Sequence, residues 1–221
     1  MNYEVKPIDY QDCKEWFLKK HYARRMPPID LCFGLYNAKQ LQGVCSFGTP
    51  ASTAVRDIVQ SFKLYELNRL VVSEGLPNNT LSYFVSQCLK MMPQPSVIVS
   101  YADTSQNHHG YIYQATNWTY TGLSAKFMDY MVKGMEHLNG ATIFDMSRGQ
   151  ENRAEWLRQK FGDKLYMKER ARKHRYFYFI GNKRDKKKMM AELPYESQPY
   201  PKGDNKRYDA SYQPTTQIKL L

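Results

Sequence analysis

Two groups of polar residues fall in or after predicted β-strands, and strand ends are where open α/β sheets place their functional sites. The first group is Glu66-Leu67-Asn68-Arg69, within a strand predicted over residues 65–72. Strand alternation places Glu66 and Asn68 on one face and Leu67 and Arg69 on the other. Polar side chains inside a central strand are costly to bury without hydrogen bonds. Two interpretations stay open: a row that faces a substrate, or a structural network of hydrogen bonds and ion pairs.

The second group, Ser100-Tyr101-Ala102-Asp103, ends a short apolar strand predicted over residues 96–101. A carboxylate at this place can act as a general base toward an amine. The alternative role for Asp103 is to cap the following turn. The aromatic neighbour Tyr101 at the same strand end favours the functional role.

Three further features have weaker chemical meaning. Adjacent His108 and His109 do not readily share one metal ion, and the sequence shows no ligand set for a metal. The turn over residues 77–80 precedes an amphipathic helix, so its backbone N–H groups suit an anion, although plain capping is the simpler interpretation. The four cysteines have no CxxC or metal-finger spacing, which indicates reduced thiols.

The positive charge of the chain is concentrated in one segment. The formal net charge is +11 over 221 residues, and residues 158–188 hold 13 basic and 3 acidic residues, a net charge of +10. Aromatic residues are interleaved with these charges, which favours a nucleic-acid partner over a merely solubilising face. A hydrophobic content of 42% excludes a disordered chain, and no apolar run is long enough to span a bilayer.

The hydrophobic pattern predicts a mixed α/β fold. A β-hairpin over residues 31–47 is followed by a strand, an amphipathic helix and a buried strand over residues 65–101, which form a βαβ unit. Helices are also predicted over residues 9–22, 110–116 and 151–161, strands over 3–8, 118–121 and 175–180, and a second hairpin over 127–138. We expect one domain over residues 1–188, with residues 158–188 as its DNA-binding surface, and a flexible or draped tail over residues 189–221.

This order of elements is similar to that of the GNAT acyltransferases, and the segment over residues 112–118 resembles their LYxxxGF segment. More specifically, residues 15–202 resemble the Mom-type phage DNA modification enzymes. The resemblance is carried by the segments HYA (21–23), YELNRLVV (65–72), LPNNTLS (76–82), VSYAD (99–103), GYIYQATNWTYTG (110–122), KHRYFYF (173–179) and PYPK (199–202).

The resemblance implies an enzyme that adds a carbamoylmethyl group to the N6 amino group of adenine in double-stranded DNA, and so protects the DNA from host restriction. The protein would act in the cytoplasm of an infected bacterium, with a GNAT-like mixed, mostly antiparallel sheet. An acyl-CoA-type donor is one candidate. However, residues 74–79 read EGLPNN where GNAT proteins carry a glycine-rich pyrophosphate loop, and Pro77 lacks a backbone donor. Iron is associated with the family, but no ligand can be assigned to it.

The resemblance and the polar groups together give a set of expected site residues. Asp103 or Glu66 would deprotonate the adenine amino group, and Tyr101 or Tyr113 would orient the base. The substrate and donor would also contact Ser100, Asn68, Arg69, Asn79, Ser82 and Tyr111. The DNA backbone would contact Arg172, Lys173, Arg175, Lys186, Lys187 and Lys188.

Two other functions are compatible with the sequence. One is a conventional GNAT N-acetyltransferase that acts on a protein, a tRNA or a small amine. The other is a nucleic-acid-binding protein without catalytic activity.

Overall fold

The computed structural model describes residues 3–204 of the chain. These residues belong to two compact units, one built from residues 3–122 with 174–204 and the other from residues 123–173. The strands are β1 (Tyr3–Pro7), β2 (Leu31–Asn37), β3 (Gln40–Gly48), β4 (Lys63–Val72), β5 (Ser96–Asp103), β6 (Thr119–Leu123), β7 (Met128–Val132), β8 (Leu165–Glu169) and β9 (Lys173–Ile180). The helices are α1 (Tyr10–Glu15), α2 (Thr53–Arg56), α3 (Thr80–Met91), α4 (Tyr111–Ala115), α5 (Gly140–Asp145), α6 (Arg153–Phe161) and α7 (Lys183–Glu192).

The first unit contains a seven-stranded sheet in the order β1-β2-β3-β4-β5-β9-β6. Strands β1 to β4 pair antiparallel in sequence order, and β4 pairs parallel with β5 through the connection that contains α3. The predicted mixed sheet, the first hairpin and the βαβ unit are therefore confirmed. The parallel pairing of β4 with β5 ends at Leu67 and Ser100, although β4 continues to Val72 and β5 to Asp103.

The sheet is buried on both faces. The predicted apolar stripe of α3 packs on one face, where Phe84 and Cys88 join Ile98 in the core. The alternate residues Val97 and Val99 of β5 join a second cluster with Met189 of α7. Because both faces of β5 are covered, this strand is a nearly continuous apolar run in the sequence.

The second unit combines an antiparallel pair, β7 and β8, with helices α5 and α6, which surround a small core containing Val132, Ile143 and Leu157. The predicted hairpin over residues 127–138 is wrong, since β7 pairs with β8 across a separation of about 30 residues. The chain leaves β7 in a turn at Gly134, whose backbone N–H is bound by the Glu136 carboxylate, and then enters α5. The pattern of a five-residue strand does not show which strand it pairs with, so the sequence did not indicate β8 as the partner of β7.

The boundary predicted at residue 188 falls inside α7, which runs to Glu192. After α7 the chain forms no helix or strand up to residue 204, but it is bound to the first unit. Tyr200 Oη donates to the Trp118 carbonyl at 2.6 Å, and Gln198 N donates to the Tyr120 carbonyl at 2.9 Å. Residues 205–221 of the predicted tail lie outside the described residues. Within residues 3–204, every helix is too short or too polar to cross a membrane.

Candidate active site

A cavity of about 520 Å³ lies beside the place where the pairing of β4 and β5 ends. Its walls are residues 67–70 and Val72 of β4, Tyr101 and Ala102 of β5, the turn before α3, and the start of α4. A cavity outside the carboxyl ends of parallel strands is a common position for ligand sites in α/β sheets.

The cavity brings together most, but not all, of the expected site residues. Among those expected from the sequence, Tyr101, Tyr113, Asn68, Arg69, Asn79, Ser82 and Tyr111 line it. Glu66, Ser100 and Asp103 do not line it, although each is adjacent in sequence or by hydrogen bond to a residue that does. Trp118, which follows α4, is fully buried in the core.

Tyr113 is held at the cavity by a buried hydrogen-bond chain. The Ser100 hydroxyl donates to the Leu67 carbonyl at 2.8 Å and lies 2.7 Å from the Tyr113 hydroxyl. Because the single Ser100 proton goes to the carbonyl, the Tyr113 hydroxyl is the donor in the second bond. Burial raises the pKa of Tyr113 well above its ordinary value, so the phenol stays protonated near neutral pH. Its oxygen can then accept a hydrogen bond from a ligand.

Tyr101 is the second phenol in the cavity wall. Burial, with a smaller contribution from the negative charge of Glu66, raises the pKa of Tyr101. Glu66 itself accepts a hydrogen bond from the backbone N–H of Ala51 at 3.3 Å. Tyr101 is therefore a neutral hydrogen-bond donor near neutral pH, and Glu66 is a charged neighbour within electrostatic reach.

Asp103 ends β5 in a buried position. Its carboxylate accepts hydrogen bonds from Ser105 N at 3.0 Å and Ser105 Oγ at 2.7 Å. The capping role that the sequence left open is therefore present in the structure. This capping uses Oδ1 of the carboxylate.

Asn68 and Arg69 tie β4 to the segment before β2. Asn68 Nδ2 donates to the Pro28 carbonyl at 2.6 Å, and Ser46 Oγ donates to Asn68 Oδ1 at 2.7 Å. Arg69 Nη2 donates to the Arg25 carbonyl at 3.1 Å. The predicted alternation of faces fails here, because a bulge in the β3–β4 pairing leaves Asn68 without an opposite residue and Leu67, Asn68 and Arg69 all reach the cavity.

The turn before α3 ends in a residue with left-handed backbone conformation. Asn79 has φ of 68° and its side chain does not cap the helix; instead, Ser82 Oγ donates to the Asn79 carbonyl at 3.0 Å. Thr80 is 4% exposed, lines the cavity, and its Oγ1 has no hydrogen-bond partner within residues 3–204. A buried hydroxyl without a partner at a helix N-terminus fits an anionic group of a ligand.

Sequence reasoning did not place His21, Tyr22 or His108 at the site, but all three line the cavity. His21 Nδ1 accepts a hydrogen bond from Ala23 N at 3.0 Å, and the His21 ring stacks on Tyr22 at 4.4 Å. The Tyr22 ring meets His108 edge-on at 6.0 Å. The HYA segment was the available signal, since it was among the segments that carried the resemblance.

The residues do not supply an evident site for iron. Within residues 3–204, no three histidine, cysteine, aspartate or glutamate side chains converge closely enough to hold a metal ion. A mononuclear site needs at least three protein ligands in most metalloenzymes. The side chains of residues 3–204 therefore do not fit a protein-held iron ion.

The residues expected to contact DNA are in different environments. Lys186, Lys187 and Lys188 are exposed on α7. Arg175 is buried, donates to the Thr121 carbonyl and hydroxyl at 2.9 Å, and lies 3.3 Å over the Tyr195 ring. Arg172, half-buried, donates to the Ser124 carbonyl at 2.6 Å, and Lys173 N donates to Ser124 Oγ at 3.0 Å. The basic segment is divided between the units, since residues 158–173 belong to the second and 174–188 to the first.

The site can be compared with known proteins. The family model of the Mom protein family matches residues 2–202. This chain belongs to the Mom family. A relative, the methylcarbamoylase Mom of Escherichia phage Mu, is 30% identical over 197 residues, which are 83% of this chain and 77% of the relative. This membership confirms the prediction that the chain is a transferase enzyme.

Solved structures of GNAT acetyltransferases are also similar to this Mom-family chain. A GNAT acetyltransferase from Bacillus cereus is 12% identical, with 81% of this chain and 98% of that chain covered and a TM-score of 0.43. A GNAT acetyltransferase from Elizabethkingia anophelis with acetyl-CoA bound is 11% identical, with 81% and 99% covered and a TM-score of 0.42.

Proposed function

We propose that this Mom-family enzyme transfers a carbamoylmethyl group to the N6 amino group of adenine in double-stranded DNA, which protects phage DNA from restriction in the cytoplasm of the bacterial host. The observation that carries the proposal is the family match over residues 2–202, together with a relative named a methylcarbamoylase. The cavity between β4, β5 and α4 is the proposed active site.

The two phenols suit the recognition of adenine. Adenine presents an N6 amino donor and ring-nitrogen acceptors. The Tyr113 hydroxyl donates its hydrogen bond to Ser100 Oγ, so its oxygen can accept from the N6 amino group, while the neutral Tyr101 can donate to a ring nitrogen. Since the Tyr113–Ser100 chain ends at the Leu67 carbonyl, it cannot carry a proton away, and Tyr113 orients the amine without acting as the base.

The transfer requires a proton acceptor. A bond forms between N6 and the methylene carbon of the donated group, the bond from that carbon to the leaving group of the donor breaks, and one N6 proton is lost. Asp103 at the end of β5 or Glu66 on β4 would take this proton as general base. The adenine must leave the base stack to reach any enclosed cavity.

The turn before α3 would hold an anionic part of the donor. An acyl-CoA-type donor would place its phosphates against Thr80 and the backbone N–H groups of the first turn of α3. Because a thioester activates its carbonyl carbon, the bond to the methylene carbon requires a donor whose leaving group is attached to that methylene. Pro77 supplies no N–H, and Thr80 N already donates to the Pro77 carbonyl at 3.2 Å. The turn therefore has fewer donors than a glycine-rich loop of the same length.

The test is mass spectrometry of nucleosides from the DNA of cells that express the protein. A heavier deoxyadenosine with the mass of a carbamoylmethyl group supports the proposal, and unmodified DNA in cells that contain the folded protein contradicts it. We expect Asp103→Ala to abolish the modified nucleoside and the exposed control Asp57→Ala to leave it unchanged. Acetylation of amines by the purified protein with acetyl-CoA, without any change in DNA, would instead support a conventional N-acetyltransferase.

A further inference from the structure

The second unit contains a two-stranded ribbon whose middle part is unusually exposed. Ser124 pairs with Lys173 through two hydrogen bonds, Arg170 N donates to the Phe127 carbonyl at 2.8 Å, and β7 pairs with β8 from Met128–Glu169 to Val132–Leu165. These contacts hold residues 124–132 beside residues 165–173 as an antiparallel ribbon, in which only β7 and β8 pair as regular strands.

Helices α5 and α6 cover only one end of this ribbon. Tyr130, Val132 and Leu165 pack in the core of the second unit. In contrast, residues 125–128 on one strand and 167–171 on the other are all exposed. The exposed part is held in place by backbone hydrogen bonds and not by a core.

Large apolar side chains are concentrated in this exposed part. Phe127 is 54% exposed, Met128 is 51% exposed and Met167 is 50% exposed. Met128 and Met167 share one face of the ribbon, because Tyr130 lies opposite Met167 and two residues from Met128. Exposed clusters of this type on a folded surface mark interaction sites.

Lysines flank the apolar side chains, and the exposed Glu169 lies opposite Met128. Lys126 precedes Phe127, and Lys168 lies opposite Asp129 in the ribbon. Arg170 is paired with Asp129 and lies 5.9 Å over the Phe127 ring. Double-stranded DNA has phosphates along both edges of each groove and apolar groups, such as thymine methyl groups, on the groove floor. Apolar residues between lysines complement such a surface.

We propose that this ribbon is a DNA-contacting element that enters a groove of the duplex, with the shared face of Met128 and Met167 against the bases, Phe127 at the edge of the contact, and Lys126 and Lys168 on the phosphates. The major groove admits a two-stranded β-ribbon. Apolar side chains of ribbon and sheet proteins contact thymine methyl groups or wedge between base steps. The proposal rests on the proposed function in taking DNA as the partner, but it concerns binding and not the transfer step.

The experiment measures binding of the full-length protein to a fluorescent 30-base-pair duplex by anisotropy at several salt concentrations. The triple variant Phe127→Ser, Met128→Ser, Met167→Ser should bind about tenfold or more weakly with an unchanged salt slope, because it loses apolar contacts. The variant Lys126→Gln, Lys168→Gln should reduce the salt slope by about 2, since each neutralised phosphate contributes roughly 0.9.

Matched controls carry the same changes elsewhere. Met190→Ser alters an apolar side chain that is 53% exposed on α7, and Lys90→Gln alters an exposed lysine of α3. Both should bind DNA as the unchanged protein does, and all variants should keep the thermal midpoint. Wild-type affinity in the triple variant would overturn the proposal. So would a wild-type dimer that the triple variant dissolves, because the ribbon would then bind a second copy of the chain.

The outcome is separable from that of the proposed function. If the ribbon variants lose DNA binding while no modified deoxyadenosine is found, the ribbon proposal stands and the proposed function fails. If deoxyadenosine is modified while the triple variant binds DNA normally, the proposed function stands and the ribbon proposal fails.

Discussion

Thr80 offers a test in which stability and activity should move in opposite directions. The side chain is 4% exposed, and its Oγ1 has no hydrogen-bond partner within residues 3–204. A buried hydroxyl in this state costs about 1–3 kcal/mol. Thr80→Val keeps the shape and removes the hydroxyl, so we expect the free energy of unfolding to rise by about 1–2 kcal/mol. For a chain of this size, that is roughly 2–8 °C in the thermal midpoint.

The same substitution should weaken catalysis. If the hydroxyl is kept without a protein partner because a donor group binds it, its removal loses about 1–2 kcal/mol of donor binding, which is roughly five- to thirtyfold in the KM for the donor. The rate at saturating donor should change less, because the turn before α3 lies away from the transferred carbon in the proposed arrangement.

Thr116→Val is the matched control. Thr116 is 7% exposed, and its Oγ1 donates to the Ile112 carbonyl at 2.7 Å. Removing this hydroxyl breaks a hydrogen bond and should lower the free energy of unfolding by about 0.5–1.5 kcal/mol. Because only the Thr116 hydroxyl has a hydrogen bond to lose, the free energy of unfolding should rise in Thr80→Val and fall in Thr116→Val.

Urea unfolding, followed by circular dichroism, measures both variants, and the yield of modified deoxyadenosine at several donor concentrations measures activity. If Thr80→Val loses as much free energy of unfolding as Thr116→Val, the conclusion that the Thr80 hydroxyl has no hydrogen-bond partner is refuted. A stabilised Thr80→Val protein with an unchanged donor KM would refute its role in donor binding.

Three further predictions concern protonation and charge. Burial and the neighbouring His109 lower the pKa of His174. The contribution of His174 to the free energy of unfolding should therefore be fully present above about pH 6.5 and be lost as the pH falls below it. His109→Gln should reduce that loss, as measured by urea titrations between about pH 5 and 8. Burial raises the pKa of Tyr113, so the contribution of Tyr113 to the free energy of unfolding is present below about pH 10 and is lost as the pH rises further. In Tyr113→Phe, the free energy of unfolding should therefore fall less between about pH 9 and 12. The same variant should form less modified deoxyadenosine. Arg175→Met should lower the free energy of unfolding by about 2 kcal/mol, because two charged hydrogen bonds are lost inside the protein. In contrast, replacing Lys186, Lys187 and Lys188 by glutamine should leave the free energy of unfolding unchanged and weaken DNA binding in a salt-dependent manner.

Local patterns predicted much of the fold because they reflect local physics. The apolar stripe of α3 and the apolar run of β5 are each set by neighbours a few residues away, and both elements are confirmed. The pairing of β7 with β8 was not predictable in this way. A five-residue strand can pair with many strand edges, so its own residues do not identify its partner. β7 and β8 are brought together only when α5 and α6, which lie between them in the chain, pack against them.

The expected site residues show the same division. Tyr101 was expected at the site from its place at a strand end and Tyr113 from the family resemblance, and both reach the cavity. The hydrogen bond from Tyr113 to Ser100 lies where the pairing of β4 and β5 ends, and the bulge at Asn68 belongs to the pairing of β3 with β4; no local pattern encodes either. His21 and His108 are 87 positions apart in the sequence, so their meeting at one cavity is a property of the folded chain.

The sequence by itself determined the family, the order of most elements and the concentration of positive charge, because these are properties of residue identity along the chain. The tertiary structure decided what each charged or polar side chain can do. Arg175 and the exposed lysines of α7 are equivalent in a count of charges, yet the arginine is buried against Thr121 and Tyr195 while the lysines face solvent. Burial and hydrogen bonding depend on residues distant in sequence, and so the chemical role of a side chain is fixed only when the chain has folded.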